Sequence, residues 1–158
     1  MLKTPPRRRP QFACRGASLL EAMVALVIFS VGILGLLGLQ ANALSTTRDA
    51  QYRAEAAVLA DEIIGIMWSD RVNADFYVHN GSGGSLCAPT AGATTYHNAL
   101  AWLNQFTTTS SPRYLPGATS AAQQISVDGG RTVRVTICWR APQDAGWHNY
   151  TIVAQIPE

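Results

Sequence analysis

Charge is scarce in this chain of 158 residues: Asp, Glu, Lys and Arg make up 14%, against 47% apolar residues, which excludes a disordered, strongly solvated polymer. No charged residue occurs from Ala22 to Leu39, the stretch AMVALVIFSVGILGLLGL. No acid accompanies Lys3, Arg7, Arg8, Arg9 and Arg15; the remainder carries seven basic and ten acidic residues, net −3, too little positive field for a nucleic-acid binder. The usual catalytic signatures are missing as well. Gly81-Ser82-Gly83-Gly84 is not followed by the Gly-Lys-Ser/Thr that a phosphate loop needs, and reads as a flexible turn. No Gly-x-Ser-x-Gly marks a nucleophile. His79, His97 and His148 lack zinc-ligand spacing and read as surface or loop histidines. Asp61 and Glu62 are adjacent, so on a helix they point apart. Arg131, Arg134 and Arg140 form a mild basic patch without the interleaved aromatics of a single-strand binder. The expectation is a chain that is not an enzyme, with no cofactor, no metal, no nucleic acid and no small-molecule ligand.

What is present begins with that uncharged run. Its eighteen residues, with Ala17 to Leu20 ahead of Glu21, are long enough to span a bilayer. The basic cluster in front keeps its own side in the cytoplasm and sends the polar remainder across. Cys14 stays with the leader, while Cys87 and Cys138 enter an oxidising compartment as an even pair and are expected to form a disulfide, worth about 3–4 kcal/mol by loop entropy. Two free thiols are the alternative. A secretory signal is one reading of the front end, since Ala41-Asn42-Ala43 fits an A-x-A site, but the apolar run exceeds the roughly 7–15 residues of such a signal. A plain signal anchor explains length and charge and leaves Glu21 without a role.

The spacing supplies a third reading. Gly16-Ala17-Ser18-Leu19-Leu20-Glu21 followed by an uncharged helix resembles the class III signal of type IV pilins and pseudopilins. The resemblance implies that a prepilin peptidase cuts between Gly16 and Ala17 and methylates the new amino terminus of Ala17; Phe is usual where this chain has Ala17. Gly32, Gly35, Gly38, Gln40, Ala43, Arg53, Ala56 and Ala57 extend the similarity to the PilV-type minor pilins, the type IV pilus modification proteins, over residues 15 to about 65. It implies that Glu21 neutralises the amino terminus of a neighbouring subunit in the filament. Gly32, Gly35 and Gly38, spaced by three, suit either close helix packing or a stretch that loosens on assembly.

From Gln40 the helix continues without proline; Tyr52, Ala56, Leu59, Ile63 and Ile66 fall on one face. Residues 80–95 read as loop, and 97–106 as a short helix with Leu100, Leu103 and Phe106 on one face. Gln123–Val127, the Asp128-Gly129-Gly130 turn and RTVRVTICWR read as a hairpin with Val133, Val135, Ile137 and Trp139 on the inner face of a half-buried strand, and WHNYTIVAQI adds another strand. The expected fold is α+β, a long N-terminal helix packed on a C-terminal antiparallel sheet. Its parts are a cleaved leader, 1–16; a transmembrane or filament-core helix, 17–39; an amphipathic half, 40–70; and a periplasmic head, 71–158. The resemblance implies a minor pilin held in the inner membrane and then in an extracellular type IV pilus, in a tip or initiation complex. Its partners would be other minor pilins, the major pilin and prepilin peptidase. The alternatives are a minor pseudopilin of type II secretion, a binding domain cut after Ala43, and an exported enzyme. Mass spectrometry of the mature protein separates them: a pilin begins at Ala17, a secreted domain at Leu44, an anchor at Met1.

Overall fold

The computed structural model describes residues 17–81, 83–90 and 92–157. The chain divides into two units, Met1–Thr46 and Thr47–Glu158. Gly16, Cys14 and the front basic cluster lie outside the described residues.

Helix α1 runs over Ala17–Ser69, 53 residues with no proline. In the first unit it is apolar all round, so it has no inward face, and every side chain described from Ser18 to Thr46 is exposed. Ser30, the one hydroxyl within the uncharged run, donates to the Leu26 carbonyl at 2.7 Å and so needs no outside partner.

In the second unit α1 becomes one-sided. Ala56, Leu59, Ala60, Ile63 and Met67 are fully buried, recurring at helical spacing, with Tyr52, Ile64 and Ile66 packed beside them. Asp70 ends the helix, and a 3-10 helix follows at Arg71–Tyr77. Helix α2, His97–Thr107, buries Ala99, Trp102, Leu103 and Phe106. The face expected through Leu100 is therefore rotated: Leu100 is exposed, and Trp102 takes the central place, its indole N–H donating to the Leu59 carbonyl at 2.9 Å. A buried Trp requires such a partner, and the last turns of α1 supply it.

Residues 80–95 are not entirely loop. They hold a two-stranded antiparallel hairpin, β1 (Gly84–Ser85) with β2 (Ala88–Pro89). At Gly84 φ is +84° and a Cβ would sit 2.5 Å from the Ala88 carbonyl oxygen, so only glycine lets the strands approach.

The main sheet is antiparallel in the order β3 (Gln124–Val127), β4 (Thr132–Trp139), β5 (His148–Gln155). The β3–β4 turn is held by Asp128, whose Oδ1 accepts the Gly130 and Thr132 N–H groups at 3.1 and 2.9 Å. Val133, Val135, Ile137 and Trp139 join α1 and α2 in one core. The strand is half-buried only at its start. From Val135 to Trp139 it is buried on both faces, because the outer face is covered too. There Cys138 is joined to Cys87 in a disulfide, Cα–Cα 5.6 Å, and the pair packs with Ala122 as a second small core. Strand β3 pairs no further along β4 than Gln124 opposite Thr136. Beyond it the Gln123 side chain does the pairing: its Oε1 accepts the Cys138 N–H at 2.8 Å and its Nε2 donates to the Cys138 carbonyl at 3.1 Å. A side-chain amide thus replaces a peptide in the ladder.

The arrangement is the α+β one that the pilin resemblance implies. Its weight falls on the α1 stripe. Leu59→Ala is expected to cost about 2–5 kcal/mol, while Val58→Ala, one residue away and exposed, should stay within about 0.5 kcal/mol. Denaturant unfolding of the full chain in detergent micelles, followed by tryptophan fluorescence, measures both.

Candidate functional site

The first unit presents a surface that is exposed throughout its described residues. Leu19, Leu26, Ile28, Phe29, Leu34 and Leu39 are each 65–68% exposed. An apolar side chain of this size forgoes about 1.5–3 kcal/mol when left in water rather than buried, so a run of them requires an apolar surrounding from outside. The helix is long and apolar enough to cross a membrane.

Glu21 is the fifth residue of α1 and the only charged one from Ala17 to Leu39. It is exposed. A lone carboxylate that enters an apolar surrounding needs a counter-charge brought to it. Gly32, Gly35 and Gly38 have nothing within 4 Å of a would-be Cβ, so no contact inside the described chain calls for glycine there. Ala41-Asn42-Ala43, the A-x-A candidate, lies within uninterrupted helix.

The second unit is locked by three polar clusters that sequence patterning did not disclose. At Asp70 the chain puts a carboxylate at a helix C-terminus, where the dipole disfavours it. Four donors compensate: Tyr96 Oη at 2.5 Å, Asn73 Nδ2 at 2.7 Å, Tyr77 Oη at 2.9 Å and Asn98 Nδ2 at 3.3 Å. The Tyr96 hydrogen bond above all, then that of Asn73, holds the Asp70 carboxyl below its usual range. Burial, together with the bond to Asp70, pushes the Tyr77 phenol up to about 12.

The second cluster centres on Arg113 in the segment after α2. Its Nε donates to Glu55 Oε1 at 2.7 Å and its Nη1 to Glu62 Oε2 at 2.6 Å, two carboxylates on one side of α1. Gln105 joins them, donating to Glu62 Oε1 at 2.9 Å and accepting from Arg113 at 2.8 Å. Burial raises the Glu62 pKa, but the Arg113 and Gln105 hydrogen bonds outweigh it, and the net shift is downward. The Glu55 bond, then the Glu62 bond, raises that of Arg113.

His79 is the third, and it corrects the expectation of a surface or loop histidine: it is fully buried. Its Nδ1 accepts the Thr94 N–H at 3.1 Å and its Nε2 lies 2.8 Å from the Ser120 carbonyl. A backbone donor on one nitrogen and a carbonyl on the other fix the neutral tautomer with its proton on Nε2. The imidazole is a cross-brace between loops. His97 is exposed, and His148 sits at the start of β5. Of the four tryptophans, Trp102 and Trp139 are core, whereas Trp68 and Trp147 are substantially exposed, Trp147 beneath the Arg140 guanidinium at 5.2 Å.

The prokaryotic N-terminal methylation motif matches residues 12–37. The match covers Gly16, Ala17, Glu21 and most of the uncharged run, supports a type IV pilin-like class, and indicates a substrate of prepilin peptidase. No curated protein and no solved structure matches the chain.

The polar clusters set a pH window for the second unit. Asp70 and Glu62 have depressed pKa values in the fold, so the stability they contribute is present above the ordinary carboxylate range and lost as pH falls through their folded values. Tyr77 is raised, so its contribution is present below about 10 and lost as pH climbs through about 12. The thermal midpoint by near-UV circular dichroism should therefore fall at both extremes, and Asp70→Asn should flatten the acid limb.

Proposed function

We propose that this chain is a minor pilin of the PilV type, processed by prepilin peptidase and inserted into a type IV pilus as part of a tip or initiation complex. The leader, residues 1–16, is removed between Gly16 and Ala17, and Ala17 is methylated. Residues 17–39 anchor the protein in the inner membrane and later lie in the filament core; 40–70 carry the helix out to a periplasmic head, 71–158. The partners are the major pilin and other minor pilins. The protein works by fit, as a structural subunit presenting a helix and a head.

One observation carries this reading: an apolar helix, exposed throughout its described front half, that holds a single acid at its fifth position, inside the matched methylation motif. In a bundle of such helices each mature subunit brings one cation, the amino group of Ala17, into an apolar core. Glu21 of a neighbour is the group that neutralises it. A buried pair of this kind adds little net stability, but leaving either charge alone is severely unfavourable. Glu21 therefore specifies the axial offset between subunits. The helix across Ala41–Ala43 favours this over cleavage after Ala43.

Glu21→Gln is expected to lower recovery of the protein in sheared pili at least tenfold, with leader removal and the Cys87–Cys138 disulfide unchanged. Undiminished incorporation of that variant refutes the pairing. Crosslinking that recovers the major subunit of a secretion pseudopilus in place of the major pilin assigns the chain to type II secretion.

A further inference from the structure

Near the start of the second unit three chemically suitable side chains converge from separate segments. Asp49 comes from α1, Asp144 from the β4–β5 connection, and His148 from the first position of β5; one donor atom of each lies within 4.8 Å of the other two. We infer that Asp49, Asp144 and His148 form a binding site for a divalent cation of the zinc type, tying α1 to the β4–β5 connection.

Two of the three ligands are set independently of any ion. The Asp144 carboxylate accepts the Ala141 N–H at 2.8 Å, within a tight turn closed by the Asp144 N–H to the Ala141 carbonyl at 3.0 Å. The His148 ring stacks on Trp139, its direct partner across the strands, at 5.9 Å between centroids and 17° between planes. That stack turns Nε2 toward Asp144 Oδ2, 3.1 Å away. A ring held by stacking and a carboxylate held by a backbone N–H keep these two donors facing each other without an ion.

An Asp144–His148 pair explains two of the groups and leaves the third. Asp49 brings a second carboxylate to the same point, where it repels the first. Among the described residues it forms no ion pair, although Arg48 and Arg53 lie on the same helix. A doubly charged ion resolves that repulsion, which a single imidazole does not. One imidazole nitrogen with two carboxylate oxygens is a donor set for zinc and its neighbours; calcium and magnesium prefer oxygen alone. Three protein ligands leave the fourth tetrahedral position to water or to a donor from a partner. Asp49 is the exposed member of the three. The inference does not depend on the pilin reading.

The test is titration of ZnCl2 into the untagged, chelator-stripped full chain in detergent micelles, followed by calorimetry and tryptophan fluorescence. Trp139 beneath His148 and Trp147 next to it report on the site directly. One zinc per chain at micromolar affinity is expected, with binding weakened at least tenfold by Asp49→Asn and by His148→Gln. Asp49→Asn should leave the stripped protein at least as stable to unfolding, since it removes a repelling charge, which separates loss of a ligand from loss of the fold. Absence of stoichiometric binding, equal affinity in the Asp49→Asn variant, or calcium binding more tightly than zinc would each overturn the assignment.

Discussion

The governing constraint is the exposure, among the described residues, of every side chain at the front of α1. Fifteen large apolar side chains there, each of which would gain from burial, are exposed among the described residues. The stretch is therefore complete only with an apolar surrounding from outside, which under the proposed function is lipid first and then the like helices of other subunits. Within the uncharged run Ser30 closes on its own helix and the glycines leave the surface low, and just ahead of it one carboxylate, Glu21, stands exposed.

The second unit solves the opposite problem, that of a small sheet with two faces to protect. Three strands bury one face on α1 and α2. The other face of β4 would be open to water, and a short crossing segment fastened by Cys87 covers its second half. The Gln123 amide completes the hydrogen bonding of Cys138 where β3 no longer reaches. Covalent and polar closure thus meet at one residue.

The sequence made legible whatever follows a local period. The uncharged run, the stripe on α1, the alternation of β4 and the Asp128 turn all depend on spacing within a few residues, and spacing is visible in a string. Cysteine parity pointed to Cys87 and Cys138. What stayed hidden depends on partners far along the chain. Asp70 draws donors from both the 3-10 helix and α2; Arg113 reaches back to Glu55 and Glu62; His79 is placed by Thr94 and Ser120. No periodicity announces these, and a histidine followed by Asn80-Gly81 reads as loop. The α2 face was misplaced for a related reason. Leu100 fits the helical period, but Trp102 has the larger area and an N–H with a carbonyl waiting on α1.

The polar clusters have a mechanical reading. Arg113 grips α1 at Glu55 and Glu62, Trp102 grips it at Leu59, and the tyrosines and asparagines grip Asp70 just past its end. These fastenings are strung along some four turns of one helix. Tension applied along the axis loads them in parallel, as shear, and cannot peel them one after another. A rod pulled lengthwise would transmit force into the body it carries without first letting go of it.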